Sequence, residues 1–168
     1  MLSGEATDRA FRRGVRLGVD WGKARIGVAA CDADGLLAYP VETVPAADED
    51  AAFARLVALA DEYNAFEVVM GLPLALDGQA KLAAADVTAV AQRLAARLAV
   101  PLRLVDERLT TAVAHRQLGR LDTRHRRGVV DQAAATGILE SALEAERNTG
   151  IAPGLLVAKG RCETKEGL

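Results

Sequence analysis

The sequence predicts an α/β protein on a mixed five-stranded sheet, three antiparallel strands followed by parallel βα units, with helices on both faces. Three observations carry this. Short apolar, β-branched runs broken by glycine fill the chain up to Val44, apolar residues at helical spacing begin only near Asp48, and from there short strands alternate with helices. Alternating units of that kind need parallel pairing and right-handed crossovers. The 168 residues suit one domain. It is expected over 15–149, between an N-terminal extension (1–14) and a C-terminal tail (150–168) with room for a short strand.

Each element has a local reason. Val15 to Asp20 and Ile26 to Cys31 read as a hairpin around a loop containing Gly22. A third strand is expected from Leu36 to Val44 after the Asp34-Gly35 turn, and Pro40 suits an edge or a bulge there better than a central ladder. Asp48 to Tyr63 places Phe53, Leu56, Val57, Leu59 and Ala60 on one helical face. A strand from Phe66 to Met70 ends at Gly71-Leu-Pro73, and Gln79 to Ala99 forms an alanine-rich helix. Leu102 to Asp106 is the fifth strand. A helix capped by Thr110 or Thr111 follows to about Leu121, then an arginine-rich loop, a long helix from Val129 to Arg147, and a short strand at Leu155 to Val157.

Composition narrows the class. With 51% hydrophobic and 26% charged residues the chain can bury a core without disulfides or a structural metal. The two cysteines, Cys31 and Cys162, lie far apart with no CxxC, so neither a zinc site nor a disulfide framework is expected. Cys31 suits a small buried hydrophobe. With neither a signal-peptide pattern nor a membrane-length apolar run, a cytoplasmic protein is expected. The net charge of -2 is unevenly spread: Arg103 to Arg127 holds seven arginines against three acids, which leaves an excess of six negative charges elsewhere. Such a segment suits a polyanionic partner or a merely solvated surface.

Three carboxylates stand where a purely structural sequence rarely puts one. Asp20 ends the first strand, Glu107 follows the fifth, and Asp131 shares a helical face with Ala134, Ala135, Ile138 and Ala142. Each has an ordinary alternative: a turn acid, a strand-exit acid, a helix-start acid favoured by the macrodipole. In open α/β sheets, however, sites form at the carboxyl ends of parallel strands. Two unit charges about 5 Å apart repel by roughly 3 kcal/mol at an effective dielectric near 20, so a cluster there calls for cations. Oxygen-only ligands select Mg²⁺ or Mn²⁺, and a two-metal site beside a basic segment suits phosphodiester hydrolysis.

Four segments, Val19-Asp-Trp-Gly-Lys-Ala-Arg-Ile-Gly27, Val69-Met-Gly-Leu-Pro73 with Asp77-Gly78, Asp106-Glu-Arg-Leu-Thr-Thr111 and Val130-Asp-Gln-Ala-Ala134, resemble in order and spacing the YqgF family. These are RNase H-like bacterial proteins described as Holliday-junction resolvases or pre-16S rRNA nucleases. The resemblance runs from about Arg16 to Arg147. It implies an RNase H-like core, a divalent metal, and catalytic and metal-ligating roles for Asp20, Glu107 and Asp131. Trp21 departs from the pattern, where smaller residues are common.

In that setting Lys23, Arg25, Arg108, Arg116, Arg120, Arg124, Arg126 and Arg127 are the candidate nucleic-acid contacts. Only 4% of residues are aromatic, so recognition is expected through shape and backbone, as for structured RNA or branched DNA, rather than base stacking. Gly22 and Gly27 suit a tight loop and a close backbone approach. A symmetric junction would need two active sites and so a homodimer, whereas trimming one RNA strand needs only a monomer. Two other readings compete. One is a non-catalytic RNase H-like module that binds nucleic acid or a ribosome-assembly partner, although a binder of polyanions has no use for an acidic cluster. The other is a sugar-kinase or chaperone-type ATPase, suggested by Gly18-Val-Asp20-x-Gly22, but 168 residues cannot supply its two domains.

Overall fold

The computed structural model describes residues 11–73, 84–106 and 123–159, with side chains of the last helix from residue 131 onward. The strands are β1 (Arg16–Trp21), β2 (Arg25–Cys31), β3 (Ala38–Pro45), β4 (Glu67–Leu72), β5 (Leu102–Asp106) and β6 (Leu155–Leu156). The helices are α1 (Glu49–Glu62), α2 (Ala84–Arg97) and α3 (Thr123–Thr149). The sheet order is β3-β2-β1-β4-β5-β6. β1 pairs antiparallel with β2 and parallel with β4, β2 with β3 antiparallel, and β4 with β5 parallel. The two-residue β6 adds a sixth strand, antiparallel to β5.

Local chemistry explains the boundaries. Asp48 caps α1 by accepting from the Ala51 N–H at 3.2 Å, and Glu49 and Asp50 face the positive end of its dipole. Pro40 lies on the edge strand β3, opposite Ala29, where the β2–β3 register shifts; a residue without an N–H is tolerated at such a place. One expectation is corrected. The stretch Thr123–Gly128, read from the sequence as part of a loop, is the first part of α3. Arginine is a good helix former, and the single Gly128 is too weak a breaker to stop it. The helix expected between Thr110 and Leu121 lies outside the described residues. No helix among the described residues is long and apolar enough to cross a membrane.

The sheet is covered on both sides, and the two sides differ. One face sends Leu17, Val19, Ile26, Val28, Val68, Met70, Leu102 and Leu104 against Phe53, Leu56 and Leu59 of α1 and Val87, Val90 and Leu94 of α2. The other face is lined with small residues, Gly18, Gly27, Ala29 and Cys31, and α3 alone among the described helices lies on it through Ala135, Ile138, Leu139, Ala142 and Leu143. Because those strand positions carry little or no side chain, the helix backbone settles directly onto the strands. A Cβ built on Gly18 would stand 2.8 Å from the carbonyl oxygen of Ala135. Cys31 is fully buried there, and burial raises its thiol pKa, so it behaves as a small hydrophobe.

At the end of this face where β1 and β4 begin lies a buried ionic cluster. Arg16 is 1% exposed; its Nη2 donates to Glu146 Oε2 of α3 at 2.8 Å. Arg12 reaches Glu146 at 2.6 Å through Nε and grips both oxygens of Glu67 at 3.0 Å, while Arg103 Nε donates to Glu67 at 2.9 Å. Arg16 Nε has no hydrogen-bond partner among the described residues, but the guanidinium is 4.7 Å from the ring centres of both Phe11 and Phe66, an aromatic setting suited to a cation.

Burial pushes the Glu146 carboxyl up, but the hydrogen bond from Arg12 and the charges of Arg16 and Arg12 outweigh it, and the net direction is down. A carboxylate with a lowered native pKa stabilises the fold above the ordinary glutamate value of about 4.3, and that contribution is lost as the pH falls through the lower native value. Glu146→Gln is therefore expected to cost about 2 kcal/mol in urea unfolding at pH 7, where it leaves Arg16 short of a counter-charge. The difference from wild type should shrink towards zero once acid protonates the wild-type carboxyl. An equal deficit at both pH values would refute the assignment.

Candidate active site

The carboxyl ends of the parallel strands β1, β4 and β5 lie together at the opposite end of the α3-covered face. Strand alternation sends Leu17 and Val19 to the α1/α2 side and Gly18 and Asp20 to the α3 side. Asp20 is half-buried and pairs across the ladder with Gly27 of β2. Directly over Gly27 passes the backbone of α3: a Cβ built on Gly27 would be 1.8 Å from the Asp131 carbonyl oxygen. Cross-strand Cα atoms lie about 5 Å apart, so at this glycine the α3 backbone at Asp131 runs close to Asp20 on β1. The close approach expected of Gly27 is made by the helix that carries the second acid.

The Asp131 side chain is mostly shielded and accepts from Arg25 Nε at 2.9 Å. Arg25 opens β2 two residues before Gly27 and so projects on the same face. Next to Asp131, Gln132 donates to Thr43 Oγ1 at 3.0 Å, and Thr43 is the β3 partner of Gly27. Thr43, Gly27 and Asp20 thus form one row across β3, β2 and β1, with Gln132 and Asp131 above it. Nothing in the sequence marks out Thr43, and Gln132 has only its place beside Asp131. Gly22, in the loop after β1, donates to the Arg25 carbonyl at 3.0 Å, and its own Cβ would collide with that oxygen at 2.5 Å, so the tight return needs glycine.

The remaining candidates fall as follows. β5 ends at Asp106, opposite Leu72 of β4, and Glu107 is the next residue in the chain but lies outside the described residues, as do Arg108, Arg116 and Arg120. Lys23 is exposed in the β1–β2 loop. Arg124, Arg126 and Arg127 are on the first two turns of α3; at about 1.5 Å per residue their backbone is within roughly 11 Å of Asp131 along the helix axis. The structure therefore pairs Arg25 with Asp131 and places the α3 backbone at Asp131 close to Asp20, with the backbone of three arginines upstream on the same helix. Among the described residues no group of three metal-capable side chains occurs. The two aspartates offer only oxygen donors, a set that fits a hard divalent cation rather than zinc.

A mixed sheet of this order, with a long helix lying across its first strands, is the architecture of the RNase H-like fold. Structural comparison agrees on the fold: RuvC of Thermus thermophilus in complex with Holliday junction substrate superposes with a TM-score of 0.53 over 80% of this chain and 96% of RuvC, at 16% identity. A second structure of the same RuvC gives a TM-score of 0.52 at 17% identity. The family model RuvX, described as Holliday junction resolvase, matches residues 14–145, and the chain belongs to that family.

Relatives named "Putative pre-16S rRNA nuclease" share about half of its residues. That of Streptomyces avermitilis is 55% identical over 147 residues, covering 86% of this chain and 94% of the relative. That of Streptomyces coelicolor is 52% identical over 153 residues, covering 89% and 92%. That of Thermobifida fusca is 51% identical over 157 residues, covering 88% and 98%.

Proposed function

We propose that this chain is a divalent-metal-dependent endonuclease of the cytoplasm that hydrolyses phosphodiester bonds in structured nucleic acid, with the 5′ end of the 16S rRNA precursor as its substrate. The observation that supports the reading is the close passage of the α3 backbone at Asp131 over Gly27, the cross-strand neighbour of Asp20. Packing alone does not call for acids at both places, because neighbouring carboxylates repel unless positive charge lies close to them. The rRNA substrate is supported by the names of relatives about half identical over most of the chain.

In this reading Asp20, Asp131 and Glu107 hold Mg²⁺ or Mn²⁺ and are the catalytic residues. A metal pair bound there would supply an activated water on one side of the phosphorus and charge stabilisation of the leaving oxygen on the other. The protein's own part is positional. Asp20 is fixed by the central strand, Asp131 by a helix pressed onto that strand, and Lys23, Arg25, Arg108, Arg116, Arg120, Arg124, Arg126 and Arg127 neutralise the substrate backbone, so that affinity falls steeply with salt. A monomer suffices for trimming one RNA strand.

The second reading, resolution of branched DNA by a homodimer, is favoured by the RuvX family description and by the RuvC fold likeness. A cleavage assay at matched salt separates them: precursor 16S rRNA and a four-way DNA junction are each offered with Mg²⁺, with Mn²⁺ and with chelator. Metal-dependent cutting of the rRNA precursor near its 5′ end, and not of the junction, is expected. Cutting confined to the junction would transfer the assignment to DNA. Binding without cutting under every metal would leave the non-catalytic module.

A further inference from the structure

We infer that Arg25 is the resident counter-ion of Asp131, holding that carboxylate in place until a divalent cation takes it over. The inference rests on the metal-dependent reading above and concerns how the site is kept ready. Its first ground is the kind of contact. Arg12 grips both oxygens of Glu67, and Arg55 both oxygens of Glu42, whereas Arg25 meets Asp131 through Nε and Oδ2 alone, at 2.9 Å. A two-point fork engages both carboxylate oxygens and a one-point contact only one; since Arg16 also holds Glu146 by one point, exposure is what separates the single contacts.

The second ground is exposure. The Arg16–Glu146 pair has side chains 1% and 2% exposed and is locked into the core. The Arg25–Asp131 pair has side chains 42% and 21% exposed, so breaking it costs little and a freed guanidinium is readily hydrated.

The third ground is position and charge. Arg25 lies on the α3-covered face two residues from Gly27, so its charge relieves the repulsion between Asp131 and Asp20 while the helix end stays seated. Arginine cannot shed its proton, so a cation approaching Asp131 meets a permanent positive charge that must swing aside. The long side chain can do so without backbone movement, and its planar fork, once released at the mouth of the site, matches a phosphate group. Arg25 therefore serves Asp131 in the metal-free protein and becomes available to the substrate backbone in the loaded one. It is a positioning residue in the first state.

Calorimetric titration of the full chain with Mn²⁺ tests this without any cleavage. Arg25→Gln is expected to bind Mn²⁺ about two- to fivefold more tightly than wild type, the range that a half-exposed ion pair supports. Arg25→Lys, which keeps the charge, should stay within about a factor of two of wild type, and Asp131→Asn should bind more weakly. Equal or weaker binding by Arg25→Gln, with wild type binding normally, overturns the counter-ion role while leaving the nuclease reading intact. A wild-type protein that takes up no Mn²⁺ overturns both.

Discussion

Asp20→Asn is expected to lower metal-dependent cleavage by about a thousandfold or more, equivalent to roughly 4 kcal/mol of transition-state stabilisation, without lowering thermal stability. The two halves of this result belong together. Asparagine keeps the shape of the side chain on β1 but removes the charge, so a cation held partly by Asp20 loses a ligand, while the repulsion between Asp20 and Asp131 disappears. A residue present for packing would behave in the opposite way, with activity retained and stability lost. The measurement is a single-turnover rate with saturating Mg²⁺ beside a melting curve of the same preparation. Near wild-type cleavage would remove Asp20 from the mechanism.

Gly27→Ala is expected to destabilise the protein by about 3 kcal/mol or more and to abolish activity, although it adds only one methyl group. That methyl would lie 1.8 Å from the Asp131 carbonyl oxygen and 3.0 Å from the Gln132 nitrogen. The obstacle is backbone, so no side-chain rotation relieves it. Either α3 lifts from the sheet, separating Asp131 from Asp20, or β2 bends away and its pairing with β1 is lost. Urea unfolding and the cleavage assay check both consequences. Unchanged stability would show that the helix does not pass over this residue in solution.

Much of the fold was legible because its signals are local. Asp48 ahead of the Phe53, Leu56 and Leu59 spacing marks α1, and the apolar run up to Asp106 marks β5. The start of α3 was not legible, since six residues rich in arginine look alike as a solvated loop and as a helical turn. That the helix carrying Asp131 passes near Asp20 could be anticipated from acids at a strand end and on a packing face. The Arg25 contact could not, because a cation leaving a hairpin loop looks like any solvated charge until a helix residue 106 positions away lands beside it.

The ionic cluster stayed hidden for the same reason: Arg12, Arg16, Glu67, Arg103 and Glu146 each resemble ordinary surface charge. A faint signal was present. Arg16 shares its strand phase with Gly18 and Asp20, and Glu67 shares its phase with Val69, so both charges fall on a covered face.

That cluster also sets the timing of assembly. It joins Arg12 and Arg16 to Glu146, 134 and 130 positions further along the chain, and so helps to fasten α3 to the central strand. Closure of so long a loop is slow and comes late. The α3 backbone at Asp131 therefore settles over Gly27, the partner of Asp20, late in folding, once the stretch carrying Glu146 has been made.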